Sequence, residues 1–354
     1  MNCKWEAKPF SQCIEKVPKT NKVPKSAFLS SGRFPIVSQE KGLINGYWED
    51  SNDLFKVDKP VVIFGDHTKV IKLVDFDFVM GADGVKVFLP VSGISSRFFA
   101  YYLQSIKLPD LGYARHYRLL KDVIIPVPSE QEQKQIVEIL NKAFATIDQA
   151  QANIEQNIEN AKALFQAQLT NTFSSDSFDE QVKLPEVLKL KSGDALTAKN
   201  MVDGKYPVYG GNGIAGFHNR FNRNAETVVI GRVGALCGNA RLVNQDFWLT
   251  DNAFEVICLK QEFDPKFLTY LLNEKSLRSY ARQAAQPVIS NSSLKDVVLN
   301  FPSSKQEQIR YRNQLEAIEG NLEEVTAAYE NKLLSLEELR GSLLQKAFNG
   351  ELTQ

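Results

Sequence analysis

Cysteine and histidine are scarce in this chain, which has four cysteines and three histidines among 354 residues. No two cysteines form a CxxC pair, and the histidines nearest to them lack metal-ligand spacing, so the sequence argues against a zinc site. We expect buried, reduced thiols instead, as is usual for free cysteine. The cysteines are Cys3, Cys13, Cys237 and Cys258.

Long hydrophobic runs are also missing. No segment offers the roughly 18 uninterrupted apolar residues that a transmembrane helix requires. A signal peptide has an apolar run behind its charged start, whereas the first ten residues, MNCKWEAKPF, contain none. We therefore expect a cytoplasmic protein with no membrane partner.

The formal net charge is zero, but the charges are unevenly distributed. Basic residues exceed acidic ones by five in residues 1–128 and by four in 181–303. Acidic residues exceed basic ones by six in 129–180 and by three in 304–354. Two mildly basic blocks therefore alternate with two acidic segments, as expected if only the blocks meet phosphate groups.

An internal repeat is the strongest feature of the sequence. LKDV at 120–123 recurs at 294–297, and GRFPIV at 32–37 matches GKYPVY at 204–209. An apolar strand follows in each half, at 61–65 and 228–231, and then a helix, near 98–103 and 267–272. The same order of elements therefore occurs twice.

Each half ends in a long helix that begins with a capping box. Ser129 and Glu132 occupy the two positions of the first box, and Ser304 and Glu307 those of the second. In this motif the serine and the glutamate satisfy each other's free backbone donors.

Both helices carry apolar residues at heptad spacing, which favours a coiled coil. At about 1.5 Å per residue, each helix of about 40 residues would span roughly 60 Å. An ordinary helix packed on its own globular domain is the alternative, but both helices are long and acidic on their outer faces. The first seam is Leu140, Ile147, Ile154 and Ala161, flanked by Phe144, Ile158 and Phe165; the second is Leu315, Leu322, Tyr329, Leu336 and Leu343, alternating with Ile318, Val325 and Leu339.

These patterns predict an α/β (α+β) protein with a pseudo-two-fold internal repeat. Two similar globular domains, each with a twisted sheet and helices, are separated by two long helices that form an antiparallel coiled coil. We place the first of these domains at 1–128, the central helix at 129–175, the second domain at 176–303 and the C-terminal helix at 304–354.

Duplex DNA is the partner that the basic blocks suggest. Reading DNA requires cations for phosphates and loops that carry amide, guanidinium or imidazole groups to base edges. Candidates in the first block are Lys16, Lys19, Lys22, Lys25, Arg33, Tyr113, Arg115, His116, Tyr117 and Arg118. Those in the second are Tyr209, Asn212, His218, Asn219, Arg220, Arg223, Arg232, Gln286, Ser290 and Asn291.

The two copies have similar residues in the segments expected to form the core and different residues in the loops expected to contact DNA bases. QPVISNSS at 286–293 occupies the place that GYARHYR at 112–118 holds in the first half. This is the pattern expected if the halves read different sequences. A solvated surface remains the alternative for the lysines, and simple turns for the glycines of 210–213.

Four segments resemble the specificity subunits of type I restriction–modification enzymes, and the resemblance covers essentially the whole chain. They are IPVPSEQEQKQI at 125–136, YPVYGGNGIAGF at 206–217, NFPSSKQEQI at 300–309 and SLLQKAFNGELT at 342–353. The last is the most specific. The first half lacks such an ending, because NTFSSD stands at 171–176.

The resemblance implies two target-recognition domains, each binding one half of a bipartite DNA site. The helices would act as a ruler between the halves and would dock two copies of a methyltransferase subunit, together with restriction subunits where these exist. Adenine methylation from S-adenosylmethionine and ATP-dependent cleavage with Mg²⁺ would belong to the partners. This chain would then need no cofactor or metal and would not be an enzyme.

The absence of catalytic motifs agrees with that interpretation. The chain has neither a phosphate-binding GxxxxGK[ST] loop nor the Asn/Asp-Pro-Pro-aromatic motif of amino-methyltransferases. Two alternatives remain at this stage. One is a coiled-coil scaffold that does not bind DNA, and the other is a metal-dependent nuclease built on Asp110, Glu132 and Lys134.

Overall fold

A computed structural model describes residues 5–82, 84–109, 111–112, 114–174, 178–259, 262–282 and 286–352. The chain divides into two compact units. Unit 1 comprises Met1–Ile154 and Glu330–Gln354, and unit 2 comprises Glu155–Tyr329. Each unit therefore takes part of both long helices. The four-segment division made from the sequence stays a prediction.

Unit 1 combines short strands with a ten-residue helix and the first part of a long one. Its strands are β1 (Glu6–Pro9), β2 (Ile14–Glu15), β3 (Lys22–Val23), β4 (Phe34–Val37), β5 (Gly46–Trp48), β6 (Leu54–Phe55), β7 (Val61–Gly65), β8 (Ile71–Val74), β9 (Phe78–Gly81), β10 (Val85–Pro90) and β11 (Ile124–Val127). Its helices are α1 (Ser96–Ser105), α2 (Tyr117–Leu120) and the start of α3 (Glu130–Phe173).

Unit 2 begins within α3 and repeats this order. Its strands are β12 (Glu180–Lys183), β13 (Leu188–Ser192), β14 (Tyr206–Gly210), β15 (Gly213–His218), β16 (Thr227–Gly231), β17 (Ala240–Val243), β18 (Trp248–Leu249), β19 (Ala253–Cys258) and β20 (Val298–Phe301). Its helices are α4 (Leu184–Val187), α5 (Pro265–Glu274) and the start of α6 (Lys305–Phe348).

The sheets share a common strand order in both units, to which unit 1 adds β3 and β6, both paired with β9. The pair β1–β11 corresponds to β12–β20, and the sheet ordered β2-β10-β7-β8 corresponds to β13-β19-β16-β17. The remaining sheet contains β9-β4-β5 in unit 1 and β18-β14-β15 in unit 2. In both, the pairing between the first two of these strands is parallel. The repeat predicted from the sequence is therefore a structural repeat.

A layer of apolar side chains fills the space between the two larger sheets of each unit. In unit 1 it includes Ile63 and Phe78, and in unit 2 it includes Val229 and Phe247. On the other face of the β7 and β16 sheets, a larger core packs against α1 or α5 and the long helices. Each unit thus has its own core, as the chain length suggests.

The first capping box forms as the sequence predicts. The Ser129 hydroxyl donates to Glu132 at 2.8 Å, and the Ser129 amide donates to the same carboxylate at 3.0 Å. The second box does not form, since within the described ranges neither side chain of Ser304 and Glu307 bonds to the backbone amide of the other. There Ser303, an extra residue between Pro302 and Ser304 with no equivalent between Pro128 and Ser129, bonds to Asp179 through both its amide and its hydroxyl.

A buried glutamine follows each capping position and fastens the long helix to its unit. The Gln133 side chain accepts from the Ser95 amide at 2.8 Å and donates to the Gly93 and Pro128 carbonyls. The Gln308 side chain accepts from the Asp264 amide at 2.9 Å and donates to the Pro302 carbonyl. Because Ser95 and Asp264 are the N-caps of α1 and α5, the two glutamines are equivalent.

The long helices pair within unit 1 in opposite directions. Arg340 of α6 forms an ion pair with Asp148 of α3, and its guanidinium lies 4.4 Å from the centre of the Phe144 ring. Further along α3, Gln151 donates to Glu337 at 2.7 Å. Higher numbers on α3 thus meet lower numbers on α6, which confirms the antiparallel pairing.

The predicted apolar seams are only partly buried. Leu140, Ile147 and Leu315 are at most 4% exposed. By contrast, Val325 and Leu339 are 43% and 46% exposed, so their assignment to the seam was wrong. A strict heptad describes the seam where an α-helix is supercoiled against one partner, and the apolar positions drift outward where it is not.

Among the described residues, no helix is both long and apolar enough to cross a membrane.

Candidate nucleic-acid interface

Loops that leave the two larger sheets of unit 1 meet at one place. The His67 amide donates to the Gln39 side chain at 3.2 Å, and the Asp66 amide donates to the Gly84 carbonyl at 2.7 Å. The His116 amide donates to the Asp66 carbonyl at 2.8 Å. These bonds join loops that are distant in sequence. We name as loop surface 1 the residues 38–45, 66–70 and 114–117.

The corresponding loops of unit 2 meet in the same way. The Leu236 amide donates to Asn212 Oδ1 at 3.1 Å, and the Gly234 amide donates to the Pro287 carbonyl at 3.3 Å. The Ile289 amide donates to the Arg232 carbonyl at 3.0 Å. We name as loop surface 2 the residues 210–213, 232–239 and 286–292.

The hydrogen bonds show which residue of loop surface 2 corresponds to Asp66 of loop surface 1. Asp66 directly follows β7, and Arg232 directly follows β16. Their carbonyls accept from the amides of His116 and Ile289 respectively. One position therefore carries a carboxylate in one copy and a guanidinium in the other, on an otherwise shared frame.

Only some of the basic candidates of unit 1 lie on or beside loop surface 1. Arg115 and Arg118 are exposed, and Arg115 lies in loop surface 1. Lys25 forms an ion pair with Glu40, which places it beside that surface. Lys22 donates to the Val85 carbonyl at 2.9 Å. Lys16, Lys19 and Arg33 are exposed elsewhere in the unit, and Tyr113 lies outside the described residues.

His116 is a structural residue, which corrects our expectation of a DNA contact. Its side chain is fully buried. The Leu111 amide donates to Nε2 at 3.3 Å, so Nδ1 carries the proton and donates to the Asp66 carbonyl at 3.0 Å. Its counterpart Ile289 is also fully buried. At the 174-residue offset of the LKDV repeat, His116 matches Ser290 rather than Ile289, so the sequence alone carried no signal of its burial.

Tyr117 is likewise held by its own unit. Its amide donates to Asp66 Oδ1 at 2.7 Å, and its ring stacks on Phe88 with centroids 5.8 Å apart. The ammonium groups of Lys86 and Lys121 lie 5.2 and 5.5 Å from the ring centre. This ring is therefore occupied by contacts that do not involve a base.

Loop surface 2 contains five of the ten second-unit candidates, namely Asn212, Arg232, Gln286, Ser290 and Asn291. Asn212 and Gln286 are exposed on it, as is Asn291, whose side chain also donates to the Leu190 carbonyl at 3.2 Å. Ser290 shares hydrogen bonds with Ser292 and Ser293. Arg232 extends over the Phe254 ring at 5.4 Å. Tyr209 lies behind, edge-on to Phe247 at 5.4 Å.

Four candidates lie at the opposite end of the β14–β15 hairpin. The strand register pairs Gly210 with Gly213 at the turn and Tyr206 with His218 at the far end. His218 is 7% exposed and its Nδ1 accepts from the Val202 amide at 3.0 Å. Arg223 is bound to Glu255 at 2.6 Å. We therefore correct the expectation that His218 and Arg223 contact DNA, whereas Asn219 and Arg220 are exposed.

Several residues of loop surface 1 were missed by the sequence analysis. Gln39, His67 and Lys41 belong to it, and Leu43 and Ile44 are 46% and 43% exposed at its hairpin tip. The end of the apolar strand at Gly65 was a usable signal, since the residues after it lead into the loops. Nothing in the sequence marked 38–45 as their neighbour.

Lys72 is buried below the 38–45 loop. It is 6% exposed, and its ammonium donates to the Ser38 carbonyl at 2.8 Å, to Asn45 Oδ1 at 3.0 Å and to the Gly42 carbonyl. Burial lowers the pKa of Lys72 to about 8, although nearby Glu40 acts in the opposite direction. A buried ammonium is tolerated when all its donors are satisfied, as they are here.

The described residues contain no group of three or more His, Cys, Asp or Glu side chains arranged for a metal ion. Asp110, which the nuclease alternative requires, lies outside the described residues. Glu132 bonds to Ser129 and accepts from Trp5 Nε1 at 3.3 Å. The bonds from the Ser129 hydroxyl and amide hold the pKa of Glu132 below its usual range.

Comparison with known proteins gives a consistent result. The family model of the type I restriction modification DNA specificity domain matches residues 2–160 and 179–327. The specificity subunit of the type I restriction enzyme EcoprrI from Escherichia coli is 31% identical over 138 residues, which cover 37% of this chain and 34% of that protein. The StySPI specificity subunit from Salmonella potsdam is 25% identical over 317 residues, 75% of this chain and 67% of that one.

Solved structures share the fold. A chain from a study of complex assembly and conformational transition in the type I R-M system matches with a TM-score of 0.72 at 16% identity, covering 98% of both chains. The HsdS subunit from Thermoanaerobacter tengcongensis matches with a TM-score of 0.51 at 17% identity, covering 98% of this chain and 97% of that one. At these identities the likeness concerns the fold.

Proposed function

This chain belongs to the type I restriction–modification DNA specificity family, and we propose that it is the specificity subunit of such an enzyme. Unit 1 reads one half of a bipartite duplex site and unit 2 reads the other. The observation that carries this proposal is the pair of loop surfaces, built on one repeated frame but lined by different side chains.

The chemistry of the two loop surfaces supports readout of different bases. Arginine recognises guanine, and asparagine or glutamine recognises adenine, through paired hydrogen bonds in the major groove. Loop surface 1 offers the exposed Arg115, whereas loop surface 2 offers the exposed Gln286. Gln39, Asn212 and Asn291 each have one atom of the side-chain amide bonded within their own unit, so each adds a single further donor or acceptor group. The exposed cations around them, such as Lys25 and Arg118, suit phosphate contacts that fix register without reading sequence.

Catalysis is assigned to other subunits in this proposal. The acidic helices α3 and α6 dock two copies of a methyltransferase subunit and, where present, restriction subunits. S-adenosylmethionine, ATP and Mg²⁺ are bound by those partners. The family match and the absence of nucleotide-binding and methyltransferase motifs from the sequence support this division.

DNA binding tests the proposal directly. We expect the complex with its methyltransferase to bind its target about 10³-fold more tightly than a random duplex. We also expect the affinity to fall about 10³-fold between 50 and 200 mM salt, as phosphate contacts require. Arg115→Ala should weaken target binding about tenfold, measured by fluorescence anisotropy.

Arg97→Ala is the matched control, because Arg97 is exposed on α1 and lies near Asn141 rather than loop surface 1. It should bind like the wild type. Equal affinity of the complex for all duplexes would reject the specificity role. No response to DNA would favour a scaffold, and cutting by the isolated chain with Mg²⁺ would favour a nuclease.

A further inference from the structure

We propose that Lys72 is a positioning residue for specificity, which fixes the 38–45 loop as a reading element of unit 1. This inference rests on the proposed function and identifies how one reading loop obtains its shape. Lys72 does not reach the surface itself, so it acts through the loop that it holds.

The ammonium of Lys72 serves as an internal template for the loop. A lysine ammonium has three N–H donors, and here all three go to acceptors of one loop: Ser38 O, Gly42 O and Asn45 Oδ1. The same Asn45 oxygen accepts from the Ser38 amide at 2.9 Å. The start, middle and end of the loop are therefore tied to one nitrogen atom.

Unit 2 carries a cation at the equivalent position. In the strand registers, Lys72 of β8 lies opposite Ile63 of β7, and Arg241 of β17 lies opposite Val229 of β16. Directly opposed residues project from the same face of a sheet. Ile63 and Val229 both line the layer between the two larger sheets, so both cations enter that layer.

Arg241 reaches the β14–β15 turn, as Lys72 reaches the β4–β5 loop. The Arg241 Nη1 atom lies against Gly213, because a Cβ built on that glycine would be only 2.5 Å from Nη1. Gly213 has a φ of +97°, which favours glycine on its own account. Both copies therefore place a cationic side chain, Lys72 or Arg241, below the equivalent hairpin.

The hairpins above these cations differ strongly. The loop between β4 and β5 spans 38–45, whereas only 211–212 lie between β14 and β15. The longer loop presents Lys41, Leu43 and Ile44 to solvent. A shared support beneath two unlike loops is what a reading element requires, because base contacts depend on a fixed backbone position.

Lys72→Met tests the inference, because methionine fills a similar volume without any donor. We expect the exchange of the Asn45 amide, which donates to the Ile36 carbonyl, to rise about tenfold or more in the full-length chain. In the complex with the methyltransferase, we expect base discrimination in one half-site to fall about tenfold. The base discrimination at each half-site is measured by sequencing the duplexes that become methylated in a randomised library.

Lys56→Met is the control, since it removes an exposed lysine of the same unit outside loop surface 1. It should leave both half-sites unchanged. Arg241→Met should degrade the half-site that Lys72→Met leaves intact. A merely structural role would reduce the amount of active complex but would not relax the sequence of one half alone.

Each outcome decides the inference. An unchanged Asn45 exchange rate, or unchanged discrimination at both half-sites, overturns it. If Lys72→Met does not fold, Asn45→Ala breaks the same loop from the other side and must relax the same single half-site. If the wild-type complex itself shows no split site, the proposed function fails and the reading role of Lys72 falls with it.

Discussion

Replacement of Leu344 by aspartate is expected to destabilise unit 1 by at least about 3 kcal/mol. Leu344 is near the C-terminus of the chain, yet it is 5% exposed in the unit 1 core. Its neighbours on α6 are anchored there too, because the Phe348 ring meets Phe98 and Tyr102 edge-on at 5.3 and 5.1 Å. The aspartate would place a carboxylate among apolar side chains.

Hydrogen exchange of the β7 amides measures this effect within unit 1. At 1.4 kcal/mol per tenfold, the loss corresponds to a rise of about 10² in the rate of the slowest amides. Leu334→Asp is the matched control, since Leu334 lies on the same helix and is 64% exposed. Equal effects of the two substitutions would contradict the packing of the α6 end into unit 1.

Gln133→Leu is expected to cost unit 1 about 3 kcal/mol. The leucine would remove three hydrogen bonds, from the Ser95 amide and to the Gly93 and Pro128 carbonyls, and each such bond contributes about 1 kcal/mol. The measurement is the urea concentration at the midpoint of unit 1 unfolding, monitored by hydrogen exchange of the α1 backbone amides.

Gln135→Leu provides the comparison, because Gln135 is exposed two residues further along α3. It should shift the midpoint little. A Gln133→Leu variant as stable as Gln135→Leu would show that the glutamine does not fasten α3 to α1. The equivalent change in unit 2, Gln308→Leu, should expose the Asp264 amide in the same way.

The repeat made much of the fold predictable from the sequence. Because each copy supports the other, the strands at 61–65 and 228–231 and the helices near 98–103 and 267–272 were found. Both long helices begin within two residues of their predicted starts at 129 and 304. The second capping box failed because Ser303 bonds to Asp179, a partner more than a hundred residues away.

The site was less predictable, because side-chain type does not report which way a residue points. His116 and Arg118 are two positions apart at the start of α2, yet one is fully buried and the other exposed. Arg223 has the right chemistry for guanine but is committed to Glu255. Lys72 looked like an ordinary strand residue, since its three acceptors lie about thirty positions earlier in the sequence.

The glutamine that ends QEQ at 131–133, and again at 306–308, illustrates a different limit. The resemblance drew attention to the strings at 125–136 and 300–309, and local rules explained only the serine and glutamate of the first box. The role of Gln133 depends on Gly93 and Ser95, which approach it only after α1 has packed against α3. Contacts of this kind arise from tertiary structure and leave no periodic signal.

Mapping the methylated bases tests the central claim most directly. The chain and its methyltransferase partner would be expressed in a bacterium that lacks other DNA methylation, and modified adenines would be located by single-molecule sequencing. Two units that each read half a site predict a split motif, with two specified parts separated by a fixed number of unspecified bases. A single uninterrupted motif, or methylation without sequence preference, would contradict the account.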